Sequence, residues 1–407
     1  PLHVSEEVLP LIFDPGQAMP LFNGPELRTF IEQINGVFRS MQMPLPIIAT
    51  DEEGGTLCVF RGIIQDFPGT MALGATRNEA LSFQQARHIA YQMRQMGLTM
   101  NFVPVCDTNL VPENTVVGIR AFSDRPELCS KLAATAAQGT NAGGILNCAK
   151  HFPGHGGTYA DTHCGLAADD HGAGTIEQLE IAGFLGCIRQ GVDAVFASHV
   201  LYPAVDADRP ASLSKVWLTE ILRTKLGFGG AILSDDLMMN AIVQRYGTQN
   251  APLMHLLAGG DMAMLCGDPA TVSGAYKALD QAVMDGRLPS ERLESSVLRI
   301  QTLKERAAQL FKDAAPGAQT GEEIARAICG AGLHPSLGIH HHNRYNAYCL
   351  ADDLMEPFRP IVDLAVVEYM REHDEPYGVE SAAKQHLIAR LTGRFMVGGA
   401  QRTLFDT

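Results

Sequence analysis

Short apolar runs recur along the chain at 46–49, 101–105, 144–147, 194–197, 231–233 and 262–265. Apolar runs this brief, bounded by turn residues, predict strands buried on both faces. Between them lie 79–96, 126–142, 175–190 and 213–225, where apolar residues return every three or four positions and predict amphipathic helices. Strand then helix, repeated six times, predicts an α/β fold with parallel strands, and the number of repeats points to a (β/α)8 TIM-type barrel. Asp51, Asp107, Lys150, His199 and Asp235 each follow one of these runs, at the strand ends where such a barrel gathers its active site. A closed barrel leaves no free edge, and only 9–13 is available for a first strand, so an N-terminal truncation is expected.

After residue 306 the alternation stops, and 312–322 has the Pro, Gly and small polar residues of a linker. The chain therefore divides into a barrel at 1–311, a linker at 312–322 and a small helical segment at 323–407. With 407 residues, 46% of them hydrophobic, there is enough apolar material for one large core or two smaller ones. The formal net charge is −14, and residues 321–407 carry 8 Lys and Arg against 12 Asp and Glu, so neither part has the basic surface of a nucleic-acid binder. Nine cysteines without a Cys-x-x-Cys pair fit reduced thiols better than a disulfide framework or zinc ribbon. No run of about 18 apolar residues and no basic-then-apolar leader is present, so the expectation is a cytoplasmic protein that does not cross a membrane. Oligomeric state is not legible.

The densest chemistry lies at 150–163, Lys-His-Phe-Pro-Gly-His-Gly-Gly-Thr-Tyr-Ala-Asp-Thr-His. Asp161 and His163, two residues apart, can hydrogen-bond, and a carboxylate so placed fixes the imidazole tautomer and raises its basicity. A plain turn with Asp161 capping backbone amides is the competing reading. The second site is Ser234-Asp235-Asp236-Leu237, which delivers an acid at the end of a buried run. Successive strand residues point to opposite sides, so only one of Asp235 and Asp236 can face the mouth, and the other suits a helix N-cap. His151 and His155 have i, i+4 spacing, but Pro153 and Gly154 break a helix between them and argue against a metal site. Gly154, Gly156 and Gly157 lack the Gly-Lys-Ser/Thr of a phosphate cradle.

These motifs, with Ile48-Ala49-Thr50-Asp51-Glu52-Glu53-Gly54-Gly55, Val117-Gly118-Ile119-Arg120-Ala121-Phe122, Ala197-Ser198-His199-Val200 and Ala258-Gly259-Gly260-Asp261, resemble the family 3 glycoside hydrolases of the β-N-acetylhexosaminidase branch over about residues 10–308. The resemblance implies an exo-acting, retaining β-N-acetylglucosaminidase acting on small, cell-wall-derived saccharides, without a cofactor. It makes Asp235 the nucleophile and His163, oriented by Asp161, the acid–base, with Asp51, Arg120, Lys150 and His151 on substrate hydroxyls. Many members carry a second sugar-binding arginine where this chain has Val59; Arg61 is the nearby substitute. Residues 323–407, with Leu337-Gly338-Ile339-His340-His341-His342-Asn343 and Asp353-Leu354-Met355-Glu356-Pro357-Phe358-Arg359-Pro360, resemble the C-terminal helical part of a CRISPR adaptation integrase. That resemblance implies His341 and Glu356 as two of three metal ligands for DNA integration. The third has no counterpart upstream, so the segment is expected to be an incomplete module.

Overall fold

The structure, a computed structural model, describes residues 24–332 apart from 56, 61, 62, 66, 112, 113, 115, 159–165, 315 and 316. Five strands, β1 (Ala49–Thr50), β4 (Met100–Asn101), β5 (Leu146–Phe152), β6 (Ala194–Ala197) and β7 (Ala231–Ser234), form one parallel sheet in the order β1-β4-β5-β6-β7. A hairpin of β2 (Glu52–Gly54) and β3 (Leu57–Cys58) stands apart from it. Leu233 bridges Met262 in parallel, and the Met262 amide donates to the Ile232 carbonyl, so the predicted run at 262–265 continues the sheet as a sixth position. This is the TIM-type α/β fold expected from the alternation of runs. The chain at 9–13, read as a first strand, lies outside the described residues.

Both faces of β4 to β7 are buried, as uninterrupted apolar runs require, and β1 is half-buried. Met100, Leu146, Cys148, Ala194, Phe196, Ala231 and Leu233 fill the interior, while Ile145, Ala149, Val195, Ala197 and Ile232 meet the helical layer. That layer includes Glu79–Gln95, Pro126–Gly143 and Ala182–Arg189. Asn78 starts the first of these by accepting from the Ala80 and Leu81 amides, and Pro126 opens the second, where its missing N–H costs nothing. Two predicted helices are looser than expected. A π-turn, Glu177–Ile181, interrupts 173–189, and Val216–Lys225 is π-helical throughout.

The end of the sheet opposite the carboxyl ends of the strands is closed by the long helix Ser290–Asp313. Its Leu303 and Ala307 enter the interior cluster. Its Arg306 pairs with the carboxylate of Asp193, just before β6. Arg292 and Arg299 reach Asp261, just before Met262, at 3.2 and 3.1 Å, and Arg223 joins them.

Lys312 and Asp313 finish that helix, and Glu322 lies in the next one, Gly321–Gly332, so both ends of the expected 312–322 linker are helical. Ile324 and Ile328 of Gly321–Gly332 belong to the main hydrophobic cluster, and the helix packs on Thr70–Thr76 and Glu79–Gln95. Residues from 333 onward, including His341 and Glu356, are outside the described residues. No described helix is long and apolar enough to cross a membrane.

Candidate active site

Four of the predicted substrate contacts meet around a residue that sequence reasoning had not singled out. The Asn101 side chain accepts from the Glu52 amide and donates to the Glu52 carbonyl, which ties β2 to the end of β4 and sets Glu53 at the mouth. Glu53 then receives Arg120 through both carboxylate oxygens, at 2.9 and 2.8 Å, and the Lys150 ammonium at 2.5 Å. Lys150 also pairs with Asp51. Arg120 makes a 3.4 Å contact with Nε2 of His151.

The charges in this cluster are mutually dependent. Burial works against ionisation of Glu53, but Arg120 and Lys150 outweigh it and bring its pKa down to about 2. Burial likewise opposes the charge on Lys150 and on Arg120, and the Glu53 carboxylate turns both upward. Lys150 and Glu53 side chains are 2% and 1% exposed, whereas Asp51 is 39% exposed. Asp51 is thus the most exposed carboxylate of the cluster.

His151 is held from its other side. Nδ1 lies 2.6 Å from Asp107, and the His151 amide donates to the same carboxylate at 3.2 Å. Burial raises the Asp107 pKa less than His151 and His155 lower it, so this fully buried carboxyl sits below its ordinary value. Adjacent strand residues normally point apart, yet Lys150 and His151 both reach the Glu53–Arg120 pair. The β5–β6 register shifts between Lys150 and Phe152, the two-against-one irregularity that re-aims a side chain.

Asp235 follows β7 directly, and its amide donates to the Ala197 carbonyl of β6. One carboxylate oxygen accepts from the Asp236 amide at 2.7 Å. Burial disfavours its charge, but His199, His151, that amide and His155 together keep its pKa below the ordinary value, so it is ionised at neutral pH. The expectation that Asp236 caps a helix is corrected. Helix Asn240–Tyr246 has Met239 at its N-cap with no side-chain cap, and Asp236 instead accepts from the Met238 and Cys266 amides at 3.0 and 2.8 Å. It braces the β7 loop against the next strand position. His199 assists, with Nε2 2.9 Å from the Asp236 carbonyl and Nδ1 2.7 Å from the Ser212 hydroxyl.

The Gly-rich stretch is strand through Phe152 and then a turn. His155 is buried there, with Nδ1 2.9 Å from the Thr158 hydroxyl, and burial pushes its pKa down to about 4. No group of three or more His, Cys, Asp or Glu among the described residues is arranged to hold a metal ion. Asp161 and His163 lie outside the described residues. Glu53 was missed, and Asp107 was read only as a polar residue at a strand end, because the role of each depends on neighbours distant in sequence.

Comparison with known proteins follows the same outline. The description "Glycosyl hydrolase family 3 N terminal domain" matches residues 16–303, and "CRISPR associated protein Cas1" matches residues 320–376. A beta-hexosaminidase of Nitrosomonas eutropha is 34% identical over 285 residues, covering 68% of this chain and 81% of its own. One from Chromobacterium violaceum is 37% identical over 259 residues, covering 61% and 72%. The solved family 3 β-N-acetylglucosaminidase of Paenibacillus sp. str. FPU-7 superposes with a TM-score of 0.72 at 32% identity over 77% of this chain, which spans 60% of that one.

Proposed function

Because the chain belongs to glycosyl hydrolase family 3, and is thereby a glycoside hydrolase, we propose that it is an exo-acting, retaining β-N-acetylglucosaminidase. The observation that carries this reading is Asp235, an ionised carboxylate at the carboxyl end of β7 in electrostatic reach of His151, which in turn contacts the Lys150–Glu53–Arg120–Asp51 cluster through Arg120. Asp235 attacks the anomeric carbon as the glycosidic bond breaks, and His163, oriented by Asp161, gives its proton to the departing oxygen. Water, deprotonated by His163, then releases the sugar from Asp235. Lys150, His151, Arg120 and Asp51 hold the hydroxyls, since charged donors and acceptors in fixed geometry orient a pyranose. The proposed substrates are small cell-wall-derived saccharides, the proposed location is the cytoplasm, and no cofactor enters any step.

A second reading is supported by the match over 320–376: a CRISPR adaptation integrase fragment in which His341 and Glu356 take part in metal-dependent DNA integration. With two ligands where that chemistry takes three, we favour the hydrolase. Hydrolysis of a chromogenic β-N-acetylglucosaminide in excess EDTA decides. Full turnover with the chelator and none by Asp235→Ala supports the hydrolase; strand transfer that EDTA abolishes, with no sugar release, supports the other.

A further inference from the structure

The turn 153–158 joins the strand carrying Lys150 and His151 to the chain that leads to Asp161 and His163. It rests on Glu180, a carboxyl that is 1% exposed and sits within the π-turn Glu177–Ile181. One Glu180 oxygen accepts from the Gly157 amide at 2.5 Å. The other is buried without a hydrogen-bond partner, as is an oxygen of neighbouring Asp169. A Cβ at Gly154 would overlap the Glu180 carboxyl, and one at Gly157 would lie 2.8 Å from it and 2.5 Å from Asp169. The Tyr202 hydroxyl donates to the Gly154 carbonyl of the same turn. Gly154 and Gly157 leave the room this carboxyl needs, whereas Gly156 is kept small by the Thr108 carbonyl. A buried oxygen left unpaired costs on the order of 1–3 kcal/mol, so a side chain chosen only for packing would be apolar at this position. π-turns of this kind, with one residue inserted into a helix, occur often at functional sites.

We propose that Glu180 is a positioning residue for glycoside cleavage: its carboxyl fixes the turn 153–158, the described chain nearest in sequence to Asp161 and His163, and proton donation by His163 depends on that support. This rests on His163 being the proton donor. Burial, then the charges of Asp107 and Asp169, push the Glu180 carboxyl well above the usual range, so glutamine mimics the neutral acid and still accepts from Gly157.

The test compares kcat of the full chain on two β-N-acetylglucosaminides, one with an activated aryl leaving group and one with an alkyl leaving group that needs protonation. Glu180→Ala should lose about 10–10²-fold on the alkyl glycoside, short of the ~10²–10⁴-fold of a deleted acid–base, and less than about threefold on the aryl one. Glu180→Gln should restore the alkyl rate. If Glu180→Ala does not fold, Tyr202→Phe, which loosens the same turn, must show the same leaving-group signature. Equal losses on both substrates from folded variants, or no loss, overturn the proposal. His163→Ala is run alongside. If it lacks the leaving-group dependence, the reading of His163 falls and takes the proposal with it; if it shows the dependence and Glu180→Ala does not, only the role of Glu180 falls.

Discussion

Glu53 is the residue whose removal the site should tolerate least. Replacing it with Gln takes the carboxylate from buried Arg120 and leaves Lys150 with Asp51 alone, which costs about 3–5 kcal/mol and should lower the melting temperature as well as activity. The pH dependence follows from the sign of its shift. A pKa of about 2 in the folded protein against an ordinary 4.5 means that ionised Glu53 contributes stability above pH 4.5 and loses it as pH falls from there toward 2. The difference in melting temperature between the parent and Glu53→Gln should therefore be full at neutral pH and shrink below pH 4.5; a constant difference would remove Glu53 as its cause. Asp235→Ala should abolish turnover, since no covalent intermediate can form, whereas Asp236→Ala should retain it at reduced stability. Near-parental activity in Asp235→Ala, with loss in Asp236→Ala, would reverse the assignment.

At the scale of elements, the helix Gly321–Gly332 behaves as part of the barrel's outer layer even though it falls within the stretch matched by the second family. Ile328→Ala should cost about 2–5 kcal/mol, the usual range for a large-to-small change at a fully buried position. A chain ending at residue 332 should hydrolyse sugar as the parent does, while one ending at 320 should melt earlier; identical melting curves would show that the helix adds nothing. Brief proteolysis should cut first between the helices ending at Asp313 and starting at Gly321. The sequence predicted this region imperfectly because linker composition spilled into the ends of two helices whose apolar faces are set by partners elsewhere. Glu180 was hidden in the same way: within the amphipathic pattern of 175–190 it reads as one more polar position, and only the packing against Gly154 and Gly157 reveals it. The bulge that lets Lys150 and His151 share a cluster depends on pairing with β6 and has no mark in its own residues.

For the whole molecule, the strand positions were legible because a parallel sheet covered on both faces needs continuous apolar runs. The mouth was legible too, since polar residues after those runs have few other places to go. What closes the opposite end was not. Asp193 and Asp261 are ordinary letters in the sequence, and only in the fold do they take arginines from Ser290–Asp313. That arrangement governs how the protein can be made. Asp261 takes Arg292 and Arg299, and Asp193 takes Arg306, from a helix that the ribosome delivers about thirty to over one hundred residues after the carboxylates themselves. Until it emerges, two buried carboxylates lack those cations and the interior lacks Leu303 and Ala307. The strands bearing the active site must wait for Ser290–Asp313 before they can settle, so nascent chains stalled before residue 290 should remain open to chaperones and proteases, with Asp235 already synthesised and not yet in place.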